Sequence, residues 1–453
     1  MHRIRVCALL LAALFLTGSL AMAQRDAPDG AGAATAAEAL VDQLATGDFT
    51  TAESRFDERM RAALPETKLR AAWAQISAQA GAYQRRGTAR VEDATAQTIA
   101  VVPAEFENAT LDVRVTLDGA GRVAGLFFAP HVDAAGAAKP VAPPPYADRS
   151  HFTERAMTVG EGEWALPATL TLPRGVASAP AVVLVHGSGP QDRDETVGGV
   201  RPFRDLAWGL ASRGIAVLRY EKRTRAHAAA AAARLDGFTV RDETTDDAIA
   251  AVRLLRATAG ADAAHVYLLG HSLGGMLAPR IALEDRDIAG LVIMAGTTRP
   301  LEQVIVAQAD YLASIGAVSA EQLAPLREGA AQVAALTPAD STRPGLIMGA
   351  PASYWLDLRS YSPAATAHAL ARPMLILQGG RDYQVTAEDY EAWKAALEGR
   401  SDVTFHLYPA LNHLFVAGEG ASRPSEYLTP AHVAPDVVAD IASWVSARAA
   451  RRP

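Results

Sequence analysis

Cysteine is all but missing: among 453 residues there is one, Cys7. A disulfide framework or a thiolate zinc ribbon, each of which needs several cysteines, is therefore excluded. Basic charge is also short. Lys and Arg total 43 against 50 Asp and Glu, a net charge of −7, which argues against a nucleic-acid binder relying on a basic surface. Long apolar runs are scarce too, and the one at Val6–Leu16 falls short of the about 20 residues a spanning helix needs. What is abundant is core material. Half the chain is hydrophobic, which excludes disorder as its general state. The length exceeds a typical single domain of about 100–200 residues, so two domains or one large enzyme are expected.

Residues 1–23 read as a secretory signal. Arg3 and Arg5 give a positive start, Val6–Leu16 is the apolar stretch, and Ala21-Met22-Ala23 is the small-x-small pattern that a signal peptidase cuts. Thr17, Gly18 and Ser19 break the run too early for an anchor, and Cys7 lies too near its start to carry a lipid. The expected mature chain begins near Gln24, is periplasmic or secreted, and has no cysteine, hence no cysteine nucleophile. Loss of Arg3 and Arg5 takes its net charge from −7 to −9. No membrane span is expected after removal of the signal.

Residues 24–33 are Ala/Gly/Asp-rich and read as a tether. A first domain is expected over 34–130. Apolar residues recur there at helical spacing, in the sets Ala39, Leu40, Leu44; Phe49, Phe56, Met60, Leu64; and Leu69, Trp73, Ile76. From 88 to 128 the period changes to two, with a turn predicted at Asp118-Gly119. Helices followed by a meander make a small α+β domain. Pro140, Pro143, Pro144 and Pro145 mark a stiff linker over 131–149.

From 150 onward the pattern is an opening hairpin at 152–159 and 164–172, then alternating strands and helices. Strands are predicted at Ala181–Val185, Ile215–Tyr220, Val266–Leu269, Leu291–Met294, Met374–Leu377 and Val403–Tyr408. This order predicts a mostly parallel sheet with helices on both faces. Residues 300–365 interrupt it with helical sequence, expected to form a cap whose Tyr354 and Trp355 line a substrate pocket. On such sheets ligands bind beyond the carboxyl ends of the strands, so the residues that follow each strand carry most information.

After Leu269 comes Gly270-His271-Ser272-Leu273-Gly274-Gly275, a G-x-S-x-G sequence between a strand and a helix. The glycines leave room for a tight turn that lifts the serine hydroxyl above the sheet edge. A serine hydroxyl needs a base, and the base an orienting acid. In chain order the candidates at the same edge are Asp382, after Met374–Leu377, and His413, after Val403–Tyr408. His368, His406, His432 and Asp402 fall within or before elements and suit packing or surface roles. For an oxyanion site, the Leu273 amide is one donor and the loop His186-Gly187-Ser188-Gly189-Pro190 supplies the second, Ser188 first and Gly187 next. His186 is expected to shape this loop. Asp192, Arg193, Asp194 and Glu195 read as loop-bracing partners of Arg219, Lys222 or Arg223 in preference to a metal site.

Residues 150–453 thus resemble an α/β-hydrolase. More narrowly, His186-Gly-Ser-Gly-Pro-Gln-Asp-Arg-Asp-Glu195, Pro202-Phe-Arg-Asp-Leu-Ala207 and Arg219-Tyr-Glu-Lys-Arg-Thr224 resemble the EstD-type bacterial carboxylesterases. Segment 35–130, with its helix–helix–meander order and closing Gly125-Leu-Phe-Phe, resembles the DUF3887-like domain, related to the NTF2-like group, that precedes bacterial hydrolase domains. The resemblance implies a cofactor-free serine esterase of short acyl esters, with Ser272, Asp382 and His413 as its triad. Fold and triad do not fix the leaving group, so a peptidase or thioesterase is the alternative, and a non-catalytic binding protein a further one.

Overall fold

A computed structural model describes residues 30–94, 97–107, 110–130, 142–318 and 320–450. The expected signal, 1–23, and the linker residues 131–141 lie outside the described residues. The rest divides into two units, 30–130 and 142–450.

In the first unit, four helices (Gly30–Thr46, Phe49–Ser54, Glu58–Ala63, Glu66–Ala80) precede five antiparallel strands (Tyr83–Arg86, Arg90–Ala94, Gln97–Phe106, Thr110–Leu117, Val123–Pro130). Asp48 and Asp57 start two of the short helices by accepting the backbone N–H three residues on, satisfying donors that a helix start leaves orphaned. Leu40, Leu44, Leu69 and Trp73 from the helices, and Phe56 from the link between two of them, pack with Val102, Val113 and Val115 from the sheet. The turn after Leu117 runs to Arg122, and its left-handed position falls on Gly121, two residues beyond the predicted Gly119.

In the second unit, eight strands form one sheet: β1 Phe152–Val159, β2 Leu166–Pro173, β3 Ala179–Val185, β4 Ala216–Tyr220, β5 Ala261–His271, β6 Leu291–Met294, β7 Met374–Gly379 and β8 Val403–Tyr408. Their order is β1-β2-β4-β3-β5-β6-β7-β8. Only β2 runs against its neighbours; β3 to β8 are parallel. The alternation of side chains along a strand divides the core into two layers. Ala181, Val183 and Val185 of β3, Val266 and Leu268 of β5, and Leu291 and Ile293 of β6 face one layer, which holds helices Asp246–Arg256, Leu273–Glu284 and Ala387–Ala396. Val182, Leu184, Tyr267, Leu269, Val292 and Met294 face the other, covered by helices Pro202–Ala211 and Pro435–Ala449. Both faces being covered, the central strands carry continuous apolar runs. After β4 the chain crosses over to β5, on the far side of β3, so the β3/β5 boundary is the switch point where a ligand crevice belongs.

The 300–365 insertion is two things. Helices Leu301–Ser314 and Ala320–Ala335 share a small cluster with Tyr383, in the loop after β7, built on Ala309, Leu312, Val318 and Leu323. The later part, including helix Ala352–Arg359, instead joins the core of the sheet through Trp355 and Leu358. Among the described residues no helix is long and apolar enough to cross a membrane.

Candidate active site

Strand β5 ends on His271, and helix Leu273–Glu284 begins two residues later. Ser272, between them, has φ 53° and ψ −116°, a conformation that costs a non-glycine residue about 1–3 kcal/mol. The surroundings enforce it. A Cβ at Gly270 would lie 2.1 Å from the Gly274 carbonyl oxygen, and one at Gly274 would lie 2.1 Å from that of Val185. The Ser272 N–H donates to the Met294 carbonyl at 2.9 Å, tying the turn to the end of β6. Leu273 opens the helix, where first-turn amides have no intrahelical acceptor.

Asp382 and His413 meet at the same sheet edge. His413 Nδ1 donates to Asp382 Oδ2 at 2.7 Å, and both residues are buried. Three further donors hold the carboxylate. The Gln384 and Val385 amides reach Oδ1 at 2.8 and 3.0 Å, and Gln378 Nε2 reaches Oδ2 at 3.2 Å. With Nδ1 committed to the carboxylate, Nε2 is the nitrogen of His413 left to take a proton. The imidazole lies against that of His271, the neighbour of Ser272, with ring centroids 4.7 Å apart. His271 Nε2 also donates to the His413 carbonyl at 3.0 Å.

Sequence reasoning missed the supports of this arrangement. Asn412 Oδ1 accepts from the Leu414 and Val416 amides, both at 3.1 Å, and so shapes the loop that carries His413. Glu426 accepts from Asn412 Nδ2 at 3.2 Å and pairs with Arg381, beside Asp382, at 2.6 Å. An Asn directly before the histidine was the available signal, since Asx side chains close local turns. Tyr311 of the first insertion helix stacks on Tyr383 at 4.8 Å, which puts that helix against the acid's loop. The other histidines are engaged elsewhere: His406 with Asp440, His432 with Asp205, His368 with the Ala396 carbonyl.

The loop after β3 answers differently for its two candidate donors. The Gly187 N–H donates to Glu195 Oε1 at 2.6 Å and is spent inside the protein, which removes Gly187 as an oxyanion donor. The Ser188 N–H has no acceptor among the described residues. Gly187 lies directly beside the nucleophile turn, since a Cβ there would meet that of Ser272 at 3.1 Å. His186 Nε2 bonds the Asp192 carbonyl at 3.0 Å across the loop. Its burial, opposed by the Glu195 charge, pulls the imidazole down to about 4. Burial alone would raise the Glu195 carboxyl, but the His271 charge holds it below its ordinary value. His271 is the converse. Burial disfavours its charged form, yet Glu195, 3.0 Å from Nδ1, raises it overall. That contact is an ion pair by distance, and neither His271 Nδ1 nor Glu195 Oε2 has a hydrogen-bond partner among the described residues.

The charged cluster is braced as a set of ion pairs, with partners partly different from those expected. Asp194 pairs with Arg219, and Arg193 with Glu221 at 2.7 Å. Lys222 faces Glu243 and Arg223 faces Asp247. Tyr354 and Trp355, expected to line a pocket, are buried and occupied. The Tyr354 hydroxyl donates to Glu243 Oε2 at 2.7 Å, and Trp355 Nε1 to the Ile347 carbonyl at 2.7 Å. An aromatic pair in a helix reads the same in sequence whether it faces a pocket or the core.

A mostly parallel eight-stranded sheet, a strained serine turn after β5 and a buried Asp–His pair after β7 and β8 define the α/β-hydrolase class. Comparison with known proteins agrees. The family described as "Serine aminopeptidase, S33" matches residues 178–419, and a "Protein of unknown function (DUF3887)" family matches 37–126. "Esterase EstD" of Thermotoga maritima is 38% identical over 409 residues, 89% of this chain and 93% of its own. The chain belongs to this family of α/β-hydrolases. Among solved structures, Est1E from Butyrivibrio proteoclasticus has a TM-score of 0.43 at 16% identity, covering 65% of this chain and 99% of its own. A Pyrobaculum calidifontis esterase has 0.42 at 17%, covering 66% and 87%.

Proposed function

We propose that the protein is an exported serine carboxylesterase that hydrolyses short-chain acyl esters through an acyl-enzyme. Membership of the EstD family carries the coarser statement, that the chain is a carboxylic ester hydrolase. The single observation behind the mechanism is the Asp382–His413 hydrogen bond of 2.7 Å at the sheet edge where the strained Ser272 turn stands. In this reading Ser272 Oγ attacks the ester carbonyl while His413 Nε2 takes its proton. The tetrahedral oxyanion is held by the Ser188 and Leu273 amides, and the imidazolium then protonates the departing alcohol. Water, deprotonated by the same imidazole, attacks the acyl-Ser272 and releases the acid. Asp382, held by four donors, keeps the proton of His413 on Nδ1 and offsets the charge that develops on the ring. Export rests on the pattern of residues 1–23 alone.

The test is Ser272→Ala. Hydrolysis of p-nitrophenyl acetate should fall by about 10⁶-fold, the scale of losing the nucleophile in another serine hydrolase. Activity within tenfold of wild type would overturn the assignment. Rates on acyl esters of increasing length, beside peptide and thioester substrates, test the substrate class.

A further inference from the structure

A lysine with an almost wholly buried side chain stands behind the oxyanion loop, and nothing in the mechanism above uses it. Lys222, just beyond β4, is 2% exposed. Its Nζ donates to the Gly187 carbonyl oxygen at 2.8 Å and lies 3.4 Å from Glu243 Oε1. Glu243 is held in turn by the Tyr354 hydroxyl at 2.7 Å and the Thr224 hydroxyl at 3.2 Å. The Lys222 amide also bonds the Gln191 carbonyl at 3.1 Å, fastening the lysine to the same loop.

The carbonyl that Lys222 grips belongs to the peptide unit whose N–H is that of Ser188. In a planar trans peptide the C=O and N–H point in opposite directions, so a fixed donor on the oxygen also fixes where the hydrogen points. A charge-assisted hydrogen bond to the oxygen draws electron density from the nitrogen, which makes the N–H a stronger donor. The preceding unit is pinned as well, since the Gly187 N–H is bonded to Glu195 at 2.6 Å. As a stability device a buried ion pair is weak, because desolvation offsets most of the attraction. We infer that Lys222 is a positioning residue for catalysis: it orients and polarises the Gly187–Ser188 peptide so that the Ser188 N–H stabilises the transition-state oxyanion. The inference rests on the serine-esterase reading, and its test separates the two.

Lys222→Met keeps the stem of the side chain and removes Nζ. The Ser188 amide is weakened but not deleted, so the loss should fall below the about 10²–10³-fold seen when an oxyanion donor is removed. We expect kcat on p-nitrophenyl acetate to drop at least about tenfold while KM stays within about twofold, the mark of an interaction made in the transition state. An aryl trifluoromethyl ketone, which forms a tetrahedral adduct with a nucleophilic serine, should lose affinity by the same factor. The matching unreactive carbinol should not. If Lys222→Met fails to fold because Glu243 is left unpaired, the double variant Lys222→Met, Glu243→Gln removes both charges and is read in the same way. An unchanged kcat, or equal losses for ketone and carbinol, overturns the inference. Absence of any Ser272 adduct in the wild-type protein would instead overturn the serine-esterase reading itself.

Discussion

Asp382→Asn removes one charge and adds two hydrogens, and the structure dictates where those hydrogens must go. The native carboxylate faces four donors, two backbone amides on Oδ1 and two side chains on Oδ2. The carboxamide has a single oxygen. Placed toward Oδ2, it would turn its NH₂ onto the Gln384 and Val385 N–H groups, neither of which can become an acceptor. Placed toward Oδ1, it keeps both of those bonds and presents its NH₂ to Gln378 and His413. Gln378 Nε2 is already held by the Val385 carbonyl at 2.7 Å and the Gly379 carbonyl at 3.2 Å, so it does not swing away. His413 is the group that yields: Nδ1 becomes the acceptor and the proton moves to Nε2. That tautomer does not take a proton from Ser272. The same exchange in a serine protease lowers kcat by about 10⁴, equivalent to about 5.5 kcal/mol of barrier at 1.36 kcal/mol per decade. We expect a drop of that order on p-nitrophenyl acetate at neutral pH, with part of the rate recovered as hydroxide replaces the base at high pH. Folding should survive at a cost of about 1–3 kcal/mol by thermal unfolding, because of the four hydrogen bonds only the one from Gln378 Nε2 is lost. A kcat within tenfold of wild type would refute the reasoning, since it would mean that His413 does not depend on Asp382 for its tautomer.

Two further outcomes follow from the buried polar groups. His186, pulled down to about 4 by burial, binds a proton in the unfolded chain before it does so in the folded one. Its contribution is therefore present above about pH 6.5 and lost as pH falls toward 4, about 3 kcal/mol at 1.36 kcal/mol per pH unit. Denaturant unfolding between pH 7 and 4 should lose stability less steeply in His186→Gln, and an identical slope would contradict the account. Tyr354→Phe should leave KM for p-nitrophenyl esters within twofold while costing about 1–3 kcal/mol of stability, because it strips a donor from buried Glu243. A large rise in KM with unchanged stability would return Tyr354 to the substrate pocket.

The fold was legible because its signals are local and repeated. Each central strand is a short apolar run bounded by turn residues, and the predicted Leu291–Met294 and Val403–Tyr408 agree residue for residue with the structure. Candidate site residues were legible for a related reason: a parallel sheet sends the residue after each strand to one edge, so Ser272, Asp382 and His413 could be located by counting from strand ends. What stayed hidden depends on which of several neighbours a side chain meets. Gly187 and Ser188 are both loop amides that the sequence can only rank, Ser188 first, and it is the return of Glu195 to the Gly187 N–H that spends one of them. Lys222 reads as one more charge in Arg219-Tyr-Glu-Lys-Arg-Thr224, available to any of the nearby carboxylates. Its actual partners are a carbonyl oxygen and a glutamate 21 residues further on, contacts that no local pattern encodes. Tyr354 was misread for the same reason, its hydroxyl being claimed by that same glutamate. The Gly187 and Tyr354 errors share one origin, whereas Trp355 is a core residue whose Nε1 bonds the Ile347 carbonyl. Glu195 and Glu243 are buried carboxylates whose desolvation must be offset by donors, and the donors they recruit, Gly187 and Tyr354, are the residues that sequence reasoning had assigned to substrate. In a site of this kind, the buried acids have to be matched to their donors before any remaining amide or hydroxyl is given to the ligand.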